Sequence, residues 1–271
     1  MLPTLKDLSP NEVGTAIEAN LIGYQSDLGR SPHVELHNDT EITWFISEQP
    51  AGRLNRIIRA HFHTNDITHR IQAAIEPYAS RNLPMTWHTG PSTFPDDLNC
   101  QLKETGLIHL GNEPGLAADL TTLQDTREPP DDLIIKRVTD IRSLRDWSEV
   151  MTRSFDGDIT TANSFYKIER SILDANNPSR QHFLGLLKGN PVGTATLFLG
   201  AGVAGLYSVT AVPEFRRAGI GTAMTAFALN EARKIGYRIS TLHASRMGVK
   251  VYLHLGFMEY CRLGRYMWKG N

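Results

Sequence analysis

The chain has 271 residues and a nearly balanced charge, with 28 Lys and Arg against 29 Asp and Glu. Because a typical domain has about 150 residues, this length predicts two domains. The 41% share of hydrophobic residues excludes a disordered tail, a collagenous repeat and a simple coiled coil. The small net charge provides no long-range field for nucleic acid or an anionic membrane, so a small-molecule partner is expected.

Cysteine usage and the amino terminus predict a cytoplasmic protein. Cys100 and Cys261 are spaced neither as metal ligands nor as a disulfide framework. The start of the chain lacks the basic residues and apolar run of a secretion signal. His61 and His63 have no third ligand at a suitable spacing, so no metal is expected. The uncharged stretch 189–213 is rich in glycine and threonine, which favours a hairpin over a membrane helix.

A linker divides the chain. The segment 124–132, QDTREPPDD, combines two prolines with five charged residues, which predicts domains at 1–123 and 133–271. Periodicity in the first half predicts helices over 9–24, 66–80 and 97–105 and strands over 41–47, 56–63 and 85–89. Periodicity in the second half predicts helices over 141–154, 162–173, 219–234 and 247–254 and strands over 133–138, 182–188, 191–199, 203–212, 238–244 and 257–268. Both halves are therefore expected to be α/β or α+β domains.

The sharpest local signal is VTAVPEFRRAGIGTAM, where a strand is followed by two arginines and by glycines that open a helix. Glycines let backbone N–H groups approach an anion, and the helix N-terminus adds partial positive charge, so a diphosphate would fit. An ordinary strand-to-helix turn is the competing interpretation. A dinucleotide fingerprint is excluded because Met224 stands where a third glycine or alanine is needed, and no P-loop Gly-Lys-Ser/Thr occurs.

These residues resemble the GNAT acetyltransferases. Arg216-x-x-Gly219-x-Gly221 looks like the acetyl-CoA pyrophosphate motif of that family, and Tyr252, four residues before Gly256-Phe257, looks like its catalytic tyrosine. The resemblance covers 133–271 and implies a mixed, mostly antiparallel sheet flanked by helices. It implies that an amine attacks acetyl-CoA directly while the Tyr252 hydroxyl protonates the departing thiolate.

The resemblance also implies which residues contact acetyl-CoA. The acetyl and pantetheine end would bind backbone groups of one strand, the pyrophosphate would bind the glycine loop, and a serine at the expected N-cap of the short helix would contact the CoA arm. These residues are Val209, Thr210 and Ala211 on the strand, Arg216, Arg217, Ala218, Gly219, Ile220, Gly221 and Thr222 in the loop, and Ser245.

The general base is left open by the sequence, because 206–212 contains no carboxylate. Five side chains could take a proton from the amine, and a chain of water molecules could do so instead. The five candidates are Asp156, Asp158, His182, Tyr207 and His243.

The first half looks like a weak repeat of the second. A gapless match of LNCQLKETGLIHL with GVKVYLHLGFMEY sets Gly106 opposite Gly256 and Leu102 opposite Tyr252. No glycine precedes the helix at Asp66, so we expect a degenerate GNAT-like domain that completes the acceptor pocket or an interface. The sequence predicts an acetyl-CoA-dependent N-acetyltransferase for a primary amine on a small molecule or peptide, and allows a homodimer. The alternative is a non-catalytic acyl-CoA-binding or regulatory module.

Overall fold

The computed structural model describes residues 4–47, 49, 52–64, 66–123, 128–155, 157–173 and 179–270. Helices and strands alternate in a mixed α/β arrangement. The helices are α1 Pro10–Ser26, α2 Ile67–Ala79, α3 Leu98–Glu104, α4 Ile141–Ser154, α5 Ile159–Ile172, α6 Ile220–Ile235 and α7 Val249–His254. The strands are β1 Glu35–Asn38, β2 Ile42–Ile46, β3 Asn55–Ala60, β4 Met85–Thr89, β5 Ile108–Asp119, β6 Leu133–Arg137, β7 Arg180–Leu187, β8 Asn190–Gly200, β9 Val203–Ala211, β10 Ile239–His243 and β11 Met258–Trp268.

All eleven strands form one sheet in the order β1-β2-β3-β4-β11-β5-β10-β9-β8-β7-β6. The arrangement is repeated on either side of the central β11–β5 pair. In each half antiparallel pairs lead to one parallel pair, β3 with β4 and β9 with β10, and a helix connects the parallel strands. Two antiparallel pairs come before it in the first half and three in the second. The predicted mixed, mostly antiparallel fold is confirmed.

The two halves exchange their last strands. β5 follows α3 in the first half but pairs with β10 of the second, and β11 of the second half pairs with β4 of the first. The sequence did not predict β5, because its segment contains Gly111, Pro114 and Gly115, residues that are unfavourable in strands. β1 was also missed, since its four residues are mostly exposed and carry no apolar alternation. The division at 124–132 stays a prediction, and 124–127 lie outside the described residues.

Helices cover both faces of the sheet. α6 packs on one face, where Ile220 and Met224 contact Gly193. α1 packs on the opposite face, where the Asn20 side chain contacts Gly205 and donates to the carbonyl oxygens of the β8–β9 hairpin. α4 and α5 share the α1 face, since Trp147 and Glu169 contact His182. The site described next lies at the end of the sheet between these layers.

The hairpin predicted in place of a membrane helix is confirmed. β8 and β9 are antiparallel and close through Gly200 and Val203, with Ala201 and Gly202 both at positive φ. Positive φ at both central residues is the geometry of a tight hairpin turn.

Candidate active site

The parallel strands β9 and β10 separate after a short contact. They pair only at Ala204 with Ser240 and at Gly205 with Thr241. β9 then continues to Ala211 along β8, so one edge of its backbone turns towards the opening between β9 and β10. No backbone hydrogen bond in the described parts of the chain joins 207–211 to β10. An open strand edge can bind the amides of an extended ligand as an added strand would.

A bulge shapes this open edge. The register between β8 and β9 shifts between Thr194 and Thr196, and Ser208 has φ of 49°. The Thr194 hydroxyl donates to the Ser208 carbonyl oxygen at 2.7 Å, which fixes the bulge from the β8 side. A bulge re-aims the backbone that follows it. The next three residues, Val209, Thr210 and Ala211, are the ones assigned to the acetyl and pantetheine end, and all are half-buried.

The N-terminus of α6 offers unpaired backbone donors. Gly219 is its N-cap with φ of 80°, Arg217 has φ of 65°, and no side chain caps the helix. Among the described residues, no acceptor is recorded for the amides of 217–222, and the first paired amide is that of Ala223. Unpaired amides and the helix dipole together make an anion site.

A cavity of about 390 Å³ opens over this loop. Its lining combines residues of the glycine loop and the first turn of α6 with two residues of the predicted linker. These are Arg217, Ala218, Gly219, Thr222 and Ala223, and Glu128 and Pro130. A Cβ added at Gly221 would contact nothing within 4 Å, so this glycine borders open space rather than packed protein. Uncapped amides, free space and the Arg217 side chain fit a diphosphate.

Arg216 anchors the loop to the rest of the domain. Its guanidinium donates to the Ser154 carbonyl oxygen at the end of α4, at 2.9 Å. Next to it, Arg153 pairs with Glu214 at 2.8 Å on the surface. The Arg216 side chain therefore already has a protein partner, and its contact with acetyl-CoA stays a prediction.

Tyr252 lies on α7, packed against the rim of the core that also includes Val209 and Ala211. Its ring contacts Phe257 edge-on at 5.9 Å. Burial raises the pKa of Tyr252 to about 12, and the Thr225 hydroxyl beside it partly offsets that effect. Thr225 in turn donates to the Gly221 carbonyl oxygen at 2.8 Å. The tyrosine thus keeps its proton at neutral pH and lies beside the first turns of α6.

Ser245 caps a turn rather than α7. Its hydroxyl oxygen accepts from the Gly248 amide at 3.2 Å, and Gly248 is the N-cap of α7. The expected N-cap role is corrected by one turn, because α7 begins at Val249 and not at Met247. Ser245 is exposed, and its contact with the CoA arm stays a prediction.

His182 lies inside a buried ion network. Its Nε2 is 3.1 Å from Glu169 Oε2 and its Nδ1 is 2.8 Å from the Thr196 hydroxyl. The Arg180 guanidinium lies 3.0 Å from the Glu169 carboxylate and 2.8 Å from that of Asp27, the residue that follows α1. With 1% of its side chain exposed, His182 cannot reach a substrate. The network ties α1 to the second half of the chain.

Two further base candidates have structural partners. The Tyr207 hydroxyl donates to Asn20 Oδ1 at 2.7 Å, its ring stacks on Tyr24 at 4.0 Å, and burial raises its pKa well above the ordinary value. Asp158 caps α5 by accepting from the Thr161 amide at 2.8 Å. Asp156 lies outside the described residues.

His243 is the base candidate at the opening. It ends β10 beside the gap, with 26% of its side chain exposed and its ring centre 6.0 Å from that of Tyr207. Its Nε2 is 3.7 Å from Glu113 Oε2, and Glu113 is held by Arg265 at 2.9 Å. Burial lowers the pKa of His243, Glu113 opposes this, and Arg56 and Arg265 add to it. A histidine with a lowered pKa is neutral at pH 7 and can accept a proton.

Glu113 and Arg265 were missed by the sequence. They come from β5 and β11, the exchanged strands, so no local spacing connects them with His243. The signal that could have indicated Arg265 is the alternation of side chains between the two faces of β11. Arg265 follows the inward-facing Leu263 by two residues and therefore lies on the same face of the strand.

The described residues contain no group of three or more His, Cys, Asp and Glu side chains that could hold a metal ion. Their helices include none with the length and apolarity needed to span a membrane.

Comparison with known proteins identifies this arrangement. Residues 142–257 match the model of the acetyltransferase (GNAT) family. A GCN5-related N-acetyltransferase from Kribbella flavida superposes with a TM-score of 0.71 at 18% identity, covering 95% of this chain and 97% of that one. A structure of the same description from Sphaerobacter thermophilus has a TM-score of 0.62 at 14% identity, with 96% and 93% covered.

A tandem GNAT protein from the clavulanic acid biosynthesis pathway superposes with a TM-score of 0.60 at 13% identity, with 98% and 97% covered. No curated protein sequence is significantly similar to the chain. At these identities the superpositions establish the fold alone, and the family model matches part of the second half of the chain. Residues 142–257 therefore match the acetyltransferase (GNAT) family model, and the chain as a whole has the fold of the tandem GNAT protein.

Proposed function

We propose that this protein is an acetyl-CoA-dependent N-acetyltransferase that moves an acetyl group to a primary amine of a small molecule or peptide. The observation that carries the proposal is the pairing of an open β9 edge with an uncapped glycine loop at the N-terminus of α6. One binds amides and the other binds a diphosphate, so together they match the two ends of a CoA thioester.

Each part of the site has a role in this reaction. Unpaired backbone groups at Val209–Ala211 hold the pantetheine amides, and a free N–H there polarises the thioester carbonyl. The amides of 217–222 hold the diphosphate. CoA supplies the acetyl group as a thioester, so transfer forms one C–N bond and breaks one C–S bond.

The two protons of the reaction have separate carriers. His243, neutral at pH 7 and open to the gap, accepts the proton that the amine must lose. Tyr252, protonated because burial raises its pKa to about 12, donates to the CoA thiolate. Among the base candidates considered, His243 combines exposure at the gap with a carboxylate neighbour, Glu113.

The test is thiol release from acetyl-CoA in the presence of an amine panel, with acetylated product identified by mass spectrometry. We expect turnover with at least one amine and a loss of roughly 10²-fold or more in His243→Gln. The matched control is His254→Gln, an exposed histidine on α7. Tight CoA binding with no product from any amine would instead favour the non-catalytic acyl-CoA-binding module.

A further inference from the structure

Five neighbouring strands each place an ionisable side chain on the α1 face of the sheet. From β3 to β10 in sheet order, these are Arg56, His88, Arg265, Glu113 and His243, which we call the polar row. His88 pairs directly with Arg265 across β4 and β11, and Arg265 bonds Glu113 at 2.9 Å. Glu113 leads to His243 at 3.7 Å. The row is therefore continuous across the exchanged strands.

The polar row connects the acetyl-transfer gap with the first half of the chain. At one end His243 lies at the opening between β9 and β10. At the other end Arg56 lies within electrostatic range of Arg53. The Arg53 guanidinium lies over the Phe155 ring at 4.4 Å, at the junction of α4 and α5. Residues of both halves thus border one surface next to the site.

Positive charge exceeds negative charge along this surface. Arg265 and His243 share the carboxylate of Glu113, whereas Arg56 has no recorded ion pair in the described part of the chain. Three buried nitrogens, Arg56 Nε, His88 Nε2 and Arg265 Nε, have no hydrogen-bond partner among the described residues. Burial, together with Arg53 and Arg265, lowers the pKa of Arg56 to about 10.

An arginine in such surroundings destabilises a protein unless an anion compensates it. The polar row is next to the place where an acceptor must lie, and guanidinium groups bind carboxylates and phosphates well. An anionic group on the acceptor would supply the missing partner.

We propose that the polar row binds a carboxylate or phosphate of the acceptor, so that the substrate is an amine that carries an anionic group. This assignment rests on the proposed acetyl transfer and deepens it. Arg56 and Arg265 hold the anion, and the amine lies at His243. The Glu113 carboxylate lies between the two side chains, 3.7 Å from His243 Nε2 and 2.9 Å from the Arg265 guanidinium. The amine and the anion must therefore be several bonds apart, as in ornithine or lysine and unlike glycine.

Pairs of amines that differ only in the anion test this inference. Ornithine is compared with 1,4-diaminobutane and lysine with 1,5-diaminopentane, which lack the carboxylate, and glucosamine 6-phosphate is compared with glucosamine. We expect kcat/KM to be at least about 10-fold higher for the anionic member of one pair. The pair that responds distinguishes carboxylate from phosphate.

Substitution of the polar row provides the second arm. In Arg56→Met the ratio of kcat/KM between the anionic amine and its counterpart without the anionic group, which is the preference, should fall to near unity. The melting temperature should stay equal or rise, because an unpaired buried charge is removed. A purely structural arginine would lower the melting temperature and leave the preference unchanged. Arg265→Met should also reduce the preference. Arg262→Met, at an exposed position of β11, is the control and should change neither quantity.

The two proposals fail in different ways. Equal acetylation of both members of every pair, or an undiminished preference in Arg56→Met, would overturn the anionic acceptor and leave acetyl transfer intact. If no amine is acetylated, the proposed function fails. Calorimetric measurement of the binding of the same amine pairs then tests whether the polar row binds an anionic group. Binding of an anionic member that Arg56→Met abolishes would support the site, and absent or equal binding would overturn it.

Discussion

The two halves build the same opening between parallel strands but leave it in opposite states. In the first half β3 and β4 pair at Arg56–Thr86 and Ile57–Trp87, as β9 and β10 pair in the second. In the first half the segment that follows β4 folds back into the gap between β3 and β4. The Phe94 amide donates to the Ala60 carbonyl oxygen at 3.2 Å, and the Phe94 carbonyl oxygen accepts from the Phe62 amide at 2.9 Å. The first opening is closed, whereas the second is open.

The helices that follow show the same contrast. Asp66 caps α2 by accepting from the His69 amide at 3.0 Å, so one donor is already satisfied by a carboxylate. The corresponding helix α6 begins at Gly219 with no side-chain cap. A carboxylate at a helix N-terminus competes with a phosphate for the same amides. The N-terminus of the helix is thus free in the second half and capped by a carboxylate in the first.

Leu102 and Tyr252 are equivalent in this comparison. The backbone carbonyl oxygen of each accepts a hydrogen bond at 3.0 Å from the amide of the residue five positions later. The residue just before that donor is a glycine at positive φ, Gly106 in the first half and Gly256 in the second. Leu102 is fully buried in the first core. Tyr252 carries instead the hydroxyl to which we assign proton donation.

Tyr252→Phe should reduce the proposed acetyl transfer without unfolding the second half of the chain. Removing only the hydroxyl should lower the single-turnover rate by roughly 10²-fold or more and change acetyl-CoA affinity little, because the proton donor is lost and the ring remains. Tyr237→Phe is the matched control, at the end of α6. Near-wild-type single-turnover rates would remove Tyr252 from the mechanism.

Leu102→Ala should instead destabilise the first half of the chain. Truncation of this buried side chain should reduce the free energy of unfolding by about 2–5 kcal/mol. The rate per folded molecule should stay close to that of the wild type, since Leu102 has no reacting group. Denaturant unfolding and active-site titration measure the two quantities. A stable variant that has lost turnover would show that the first half takes part in the chemistry.

The pH dependence of kcat/KM should report the charges around His243. Its ordinary pKa of 6.5 is lowered by burial and by Arg56 and Arg265, and Glu113 opposes them. The acidic limb of the activity profile should therefore lie at a pH below the ordinary histidine pKa of 6.5, where the imidazole becomes protonated. Arg265→Met removes a positive neighbour and should move this acidic limb to higher pH, and Glu113→Gln should move it to lower pH.

The other groups around the imidazole, His88 and Tyr207, carry no charge at neutral pH, because burial lowers the pKa of the first and raises that of the second. Shifts in the same direction in both variants, or none, would exclude His243 as the titrating base. An amine that lost its own proton in solution would give a limb that neither substitution moves.

Asp66→Ala should have the smallest effect. Loss of the α2 cap should cost about 1 kcal/mol of stability, measured by denaturant unfolding. Acetyl-CoA affinity and turnover should not change, because the first opening is closed by Phe94. A second acetyl-CoA site appearing in this variant would contradict that account.

The sequence predicted what short-range patterns encode. Glycines after a strand and before a helix indicated the anion loop, and the alternation of apolar residues located most strands, including the hairpin β8–β9. The exchange of β5 and β11 was not predicted, because strand pairing over more than 100 residues leaves no local trace. For the same reason the polar row was not found, since Arg56, Glu113 and Arg265 come together only in the joined sheet.

The central claim is that the chain binds one acetyl-CoA, at the second opening. Calorimetric titration of the intact protein tests it, alongside Gly221→Val, in which the new side chain enters open space and obstructs only a bound diphosphate. Gly14→Ala, in α1, serves as the control. The account predicts one site per chain, a loss of about 10-fold or more in affinity for folded Gly221→Val, and wild-type affinity in the control. Two sites per chain, or unchanged affinity in folded Gly221→Val, would contradict it.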